Sequence, residues 1–238
     1  MVATHAAGRR DIMHTMNDTP TPVRVWDLPT RAFHWLLAAC VLVCVVSAKT
    51  GAMTMHTRFG HAVLALLAFR LLWGLVGGHW SRFARFLYGP AALLRYLRGA
   101  PRADDRFEVG HSPLGALSVF ALLALLAVQV GTGLVSDDEI AFVGPLNRFV
   151  STDTGLAATS WHRGWGQWLI LAMVGLHLLA IAAYSWRGKG LVGAMVGGDK
   201  DLPPATPASA DGPRQRLLAL VLLALCALGS WAVSRIGF

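Results

Sequence analysis

The chain has 238 residues, 55% of them hydrophobic and 14% charged, and its mean hydropathy is +0.51. A soluble domain is nearer a quarter charged, so this composition excludes an ordinary soluble enzyme and points to an integral membrane protein. The formal net charge of +8 reads as a topology signal, and no sequence motif for nucleic acid accompanies it.

In chain order, residues 1–24 form a polar tail containing Arg9, Arg10, Asp11 and Asp18. It lacks a signal-peptide pattern, so the first helix is expected to stay in the mature chain. Five apolar runs follow, at about 32–48, 59–77, 114–135, 163–186 and 217–234, each reaching or approaching the ~20 residues that span a hydrocarbon core. Between the last two lies DKDLPPATPASADGP (199–213), whose four prolines and small polar residues predict a flexible tether within a linker over 199–216. The fold predicted is all-α: an integral membrane four-helix bundle over 25–198 plus one appended C-terminal transmembrane helix over 217–238. Counting Lys and Arg by connection gives fifteen on the N-terminal side of the membrane against five on the other. The N-terminus is therefore expected in the cytoplasm and the C-terminus outside. Cys40, Cys44 and Cys226 lie inside spans without C-x-x-C-H or zinc spacing, and read as small buried thiols.

Ionisable residues inside a membrane are costly and default to function. Four histidines fall in or at the edge of spans: His34, His61, His162 and His177. In WHRGWGQWLILAMVGLH (161–177), two of them bracket one apolar helix. Fifteen regular steps separate their rings by roughly 22 Å along the axis and about 60° around it, which leaves them on one face. A lone histidine near a helix end is more often an interfacial side chain, but the depths group these four in two levels. His34 and His177 fall toward the cytoplasmic side, His61 and His162 toward the outer side, each pair drawn from different helices. That is how a four-helix bundle holds a flat cofactor. Ala65 and Ala68 beside His61, and Gly166 beside His162, leave room for a ring. A bare metal would want three or four ligands at one level, usually with a carboxylate, whereas haem brings four nitrogens and asks only for axial ligands.

VWDLPTRAFHW (25–35), RFGHAVLALLAFRLLWG (58–74), GHSPLGALSVFALL (110–123) and WHRGWGQWLILAMVGLH together resemble the bacterial cytochrome b561 family, which includes the b-type cytochrome subunit of nickel-iron hydrogenases. The resemblance covers about 25–198. It implies a four-helix membrane electron carrier of the respiratory chain with two haem b groups, its iron ligands matching His34, His61, His162 and His177. The fifth helix departs from the minimal pattern.

Other residues have plainer readings. Arg70, turned 180° from His61, either meets a haem propionate, which would make it a cofactor-binding residue, or reaches for the interface. His111 is taken as interfacial, with a haem-edge or quinone contact as the alternative, and His5, His14, His56 and His79 are assigned no role. Gln129, Gly131 and Gly133 read as helix packing. The acids of SDDEIAFVGPLNRF (136–149) read as a solvated loop, with docking of a basic periplasmic carrier as the functional alternative. The expected function is electron exchange between membrane quinone and a periplasmic c-type cytochrome, or a dehydrogenase or hydrogenase subunit, across a bacterial inner membrane. A stand-alone quinone-linked oxidoreductase and a proton-coupled transporter are the alternatives.

Overall fold

The computed structural model describes residues 19–102 and 104–236, so Arg9, Arg10, Asp11, Asp18, His5 and His14 of the polar tail lie outside the described residues. Helix α1 spans Leu28–Thr50. Asp27 starts it: its backbone is extended, its carboxylate accepts from the Thr30 N–H at 2.8 Å, and Pro29 sits in the first turn. The helix stops where Gly51 enters the left-handed region at φ +73° and its N–H returns to the Ser47 carbonyl. Helix α2, Met53–Val76, begins almost at once, which makes α1 and α2 an antiparallel hairpin.

Two single 3-10 turns, His79–Ser81 and Phe83–Arg85, lead to the short helix α3, Pro90–Leu97. Helix α4, Pro113–Val135, is capped by the Ser112 hydroxyl. Helix α5, Thr152–Trp161, runs through a π turn at His162–Gly166 into α6, Gln167–Trp186. Helix α7 covers Leu191–Gly197 and α8 covers Pro213–Ser234. Strands β1, Thr21–Arg24, and β2, Asp199–Leu202, pair antiparallel with Arg24 opposite Asp199.

Among the described residues, five helical stretches are long and apolar enough to cross a membrane, and they match the predicted spans. The fourth runs Thr152–Trp186, 35 residues, or about 52 Å at 1.5 Å per residue. A hydrocarbon core is about 30 Å thick, so α5 must project beyond it. The hub is α2: 44% of its most apolar window is buried, against 6–17% in the other four. Val63, Leu66, Leu67, Phe69 and Trp73 of α2 pack with Phe33 and Cys40 of α1, Leu126 of α4, Ile170 of α6 and Ala219 and Cys226 of α8. Leucines such as Leu42, Leu75, Leu179 and Leu220 point outward, as a lipid-facing surface requires.

The segment expected to be a flexible tether is instead fastened. Beyond the β1–β2 ladder, the Ser209 N–H donates to the Arg24 carbonyl at 2.7 Å and its hydroxyl to the Val25 carbonyl at 2.7 Å. Trp80 Nε1–H donates to the Pro207 carbonyl at 2.6 Å, and Arg24 bridges Asp199 and Asp211. Prolines lack only their own N–H, so the remaining backbone groups were free to be recruited by a neighbouring strand. The end of the bundle carrying these strands is called the β end below. The fifth span is no loose appendage either: α8 lies along α2, and its Ser230 hydroxyl donates to the His61 carbonyl at 2.7 Å.

Candidate haem sites

At the β end, α1 presents His34 in its second turn and α6 presents His177, their ring centroids 6.4 Å apart and their planes at 51°. Two iron–nitrogen bonds of about 2 Å, with a ring radius of about 1.1 Å on each side, place two imidazoles on one ion about 6 Å apart between centroids. The spacing therefore fits a pair of axial ligands. This is the predicted pairing of these two residues by depth.

Arg70 stands near the same end. It is 3% exposed, so it does not reach the interface as an alternative reading of the sequence allowed. Its guanidinium lies 4.4 Å from the Phe83 ring centroid and 6.0 Å from that of Phe33, and Nη1 is buried without a hydrogen-bond partner among the described residues. A buried, unpaired cation calls for an anion. Asp27 does not serve, because its fully buried carboxylate is committed to the Thr30 and Gly78 N–H groups, the Trp73 indole N–H and the Ser81 hydroxyl. A haem carboxylate has the chemistry that Nη1 lacks. At the same end His111 is wedged against Trp26 at 4.7 Å and Phe86 at 4.4 Å, its Nδ1 buried without a partner among the described residues. Burial, followed by the charges of Arg70, Lys200 and His34, lowers its pKa to about 3, so it is a neutral wall residue and not the interfacial side chain expected.

The far end corrects the sequence reading. The ring facing His162 is that of His56, at 5.8 Å between centroids and 90° between planes, and not that of His61. Five residues turn His61 about 140° from His56 on α2. His61 bonds within its own helix, Nδ1 to the Thr57 carbonyl at 2.9 Å, while its carbonyl faces α8 and its Nε2 is buried without a partner among the described residues. The apolar run begins at about 59, so hydropathy alone leaves His56 in a connection, yet the sequence carries a signal for it. Arg70 lies fourteen residues after His56, about 21 Å along the axis and only about 40° off its face.

The four residues after His162 explain how one helix serves both ends. Gly164, at φ −94° and ψ −110°, breaks the ladder inside the π turn. A π bulge absorbs roughly one residue, so His162 and His177 stand about fourteen regular steps apart and remain within about 40° of one face. Gly133 packs against the His162 ring, where a Cβ would come within 2.9 Å of Cε1, and Gly60, one turn after His56, has open space where a Cβ would stand. Among the described residues no cluster of three or more His, Cys, Asp and Glu side chains gathers. What the fold assembles is imidazoles two at a time, a donor set suited to an iron already held by four equatorial nitrogens.

Facing imidazoles at both ends of a multi-pass helical bundle are the donor arrangement a membrane haem protein requires. The family model for prokaryotic cytochrome b561 matches residues 25–198, and the chain belongs to that family. It is thus a membrane b-type cytochrome that binds haem b and carries electrons. Among its relatives, the probable Ni/Fe-hydrogenase 1 B-type cytochrome subunit of Escherichia coli (strain K12) is 24% identical over 200 residues, covering 68% of this chain and 83% of the relative. The probable Ni/Fe-hydrogenase B-type cytochrome subunit of Cupriavidus necator is 26% identical over 209 residues, covering 73% and 85%. That of Bradyrhizobium diazoefficiens is 23% identical over 235 residues, covering 84% and 92%. No solved structure matches the chain significantly.

Proposed function

We propose that this protein passes electrons across a bacterial inner membrane through two haem b groups, one held by His34 and His177 at the β end and one by His56 and His162 at the far end. The single observation carrying the reading is the pair of imidazole–imidazole approaches, 6.4 Å and 5.8 Å, at opposite ends of one bundle. Each haem, when bound, supplies a one-electron iron couple between two imidazole nitrogens. The residues do the rest. Helix α6 with its π turn fixes the separation of the two sites, Arg70 offers a buried cation to a carboxylate at the β end, and Phe33, Phe83 and Trp26 keep that end apolar.

The count of basic residues favours the β end facing the cytoplasm, the N-terminus inside and the C-terminus in the periplasm. The relatives named as hydrogenase cytochrome subunits favour a Ni/Fe hydrogenase as the partner, with membrane quinone at the other terminus of the path. The test is haem per polypeptide together with ferric low-spin signals in the purified protein. Two haems with two distinct bis-imidazole signals are expected. One haem, or a signal that survives loss of either histidine of its pair, overturns the reading. Co-purification of a hydrogenase, and its hydrogen-dependent reduction of both haems, tests the partner.

A further inference from the structure

The far-end imidazoles are gripped in a way the β-end ones are not. His56 Nδ1 lies 2.9 Å from the Cys44 carbonyl of α1, and the Cys44 thiol reaches the His56 carbonyl at 3.8 Å. His162 Nδ1 lies 2.8 Å from the Gln129 carbonyl of α4, and the Gln129 amide Nε2–H donates to the His162 carbonyl at 2.9 Å. A carbonyl only accepts, so Nδ1 carries the proton in both rings and Nε2 keeps its lone pair for a metal. Each histidine is thus held by a reciprocal two-point bond to one residue of a neighbouring helix. At the β end His34 Nδ1 has no partner among the described residues.

The Gln129 side chain does more than the packing expected of it. The π turn interrupts the helical ladder at His162, and Gln129 caps the carbonyl there. Gly166 makes this possible, because a Cβ at that position would collide with Gln129 Oε1. Thr132 adds its hydroxyl to the same Gln129 carbonyl at 3.0 Å. The acceptor of the His162 Nδ1 proton is therefore fixed from the side-chain end as well as from the α4 backbone.

We propose that Gln129 and Cys44 are positioning residues for the far-end iron: they hold His162 and His56 through paired hydrogen bonds, set the orientation of both rings and raise their basicity. The inference rests on the reading of two bis-imidazole sites. An Nδ1–H bond to a carbonyl makes imidazole a better donor, which favours ferric over ferrous iron and lowers the midpoint potential. Losing the side-chain half of either grip loosens that bond, so the potential should rise.

The experiment compares Gln129→Leu and Cys44→Ala with the parent, each as full-length haem-loaded protein, by redox titration and by the low-temperature signals of the ferric haems. Both variants should move the same haem, the one whose signal His162→Ala removes, and leave the other unchanged. The expected change is a rise in midpoint potential of about 59 mV, a roughly tenfold shift of the balance toward ferrous iron for a one-electron couple, with an altered low-spin signal reporting a reoriented ring. Should Gln129→Leu fail to accumulate, Cys44→Ala decides alone, since it removes little more than the thiol. Two haems present with both variants silent in potential and signal overturn the proposal while the two-site reading stands. A shift confined to the haem lost in His34→Ala overturns it as well. A parent protein without two bis-imidazole haems removes both the reading and the proposal.

Discussion

The sharpest expectation concerns two histidines five residues apart on α2. His56→Ala removes the ring 5.8 Å from His162, so on the two-site proposal His162 alone would be left to hold a far-end haem. Haem content should then fall from two toward one per polypeptide, or one low-spin ferric signal should be replaced by a high-spin one, with the His34/His177 signal intact. His61→Ala touches neither pair. The His61 carbonyl that Ser230 uses belongs to the backbone and stays; of the two ring nitrogens lost, Nδ1 gives up one bond to the Thr57 carbonyl of its own helix, and Nε2 has no partner among the described residues. The cost should be that of an ordinary substitution, on the order of 1 kcal/mol, which for a chain of this size is about 2–4 °C in Tm. Haem quantification, spectra of oxidised and reduced protein and a thermal melt in detergent read all of this from the same preparations. Loss of a haem in His61→Ala with two haems kept in His56→Ala would refute the pairing drawn from the ring geometry.

Removing the buried cation with Arg70→Leu should lower the midpoint of the β-end haem by tens of millivolts, a tenfold change in ferric-to-ferrous balance being about 59 mV, because a nearby positive charge favours the reduced iron. A redox titration showing no shift would mean that Arg70 serves neither iron. Asp27→Ala strips four donors of their acceptor in a site without solvent exposure. Bonds to a charged group are worth about 1.5–3 kcal/mol each, so a loss on the order of 5 kcal/mol and a Tm lower by roughly 10–20 °C is expected in a melt. His111 has its pKa lowered to about 3 by burial, below the ordinary value near 6.5. The unfolded chain therefore binds the proton first, and the stability tied to neutral His111 is complete above about pH 6.5 and lost as pH falls toward 3. His111→Asn should flatten that part of a Tm-against-pH curve, and an unchanged slope would show that another group governs it.

Much of the site was legible in the sequence because the membrane makes polar residues rare. His34, His162, His177 and Arg70 stand out against apolar helices, and depth alone paired His34 with His177, the two rings the fold brings together. The same rarity hides His56: His56, Thr57 and Arg58 precede the apolar run, so hydropathy alone places that histidine in a connection and favours His61, just over one turn deeper. Helical phase tied to Arg70 would have separated the two. Gln129 was read as packing because a side-chain amide in a bundle has many uses, and nothing in one sequence says which carbonyl it will cap.

What the sequence by itself determined is what local and one-dimensional physics controls. Five apolar runs of membrane length, the Asp27, Ser112 and Ser151 caps, and the glycine that ends α1 each depend on residues within a turn or two of one another. What only the tertiary structure decided are the partners across elements: which ring faces His162, where a proline-rich stretch finds a strand to pair with, which helix α8 lies against, and how the π turn lets α6 present a histidine at each end. Those outcomes depend on how helices rotate and pack about their axes. A residue-by-residue pattern fixes the period of a helix but leaves that rotation to the surrounding bundle.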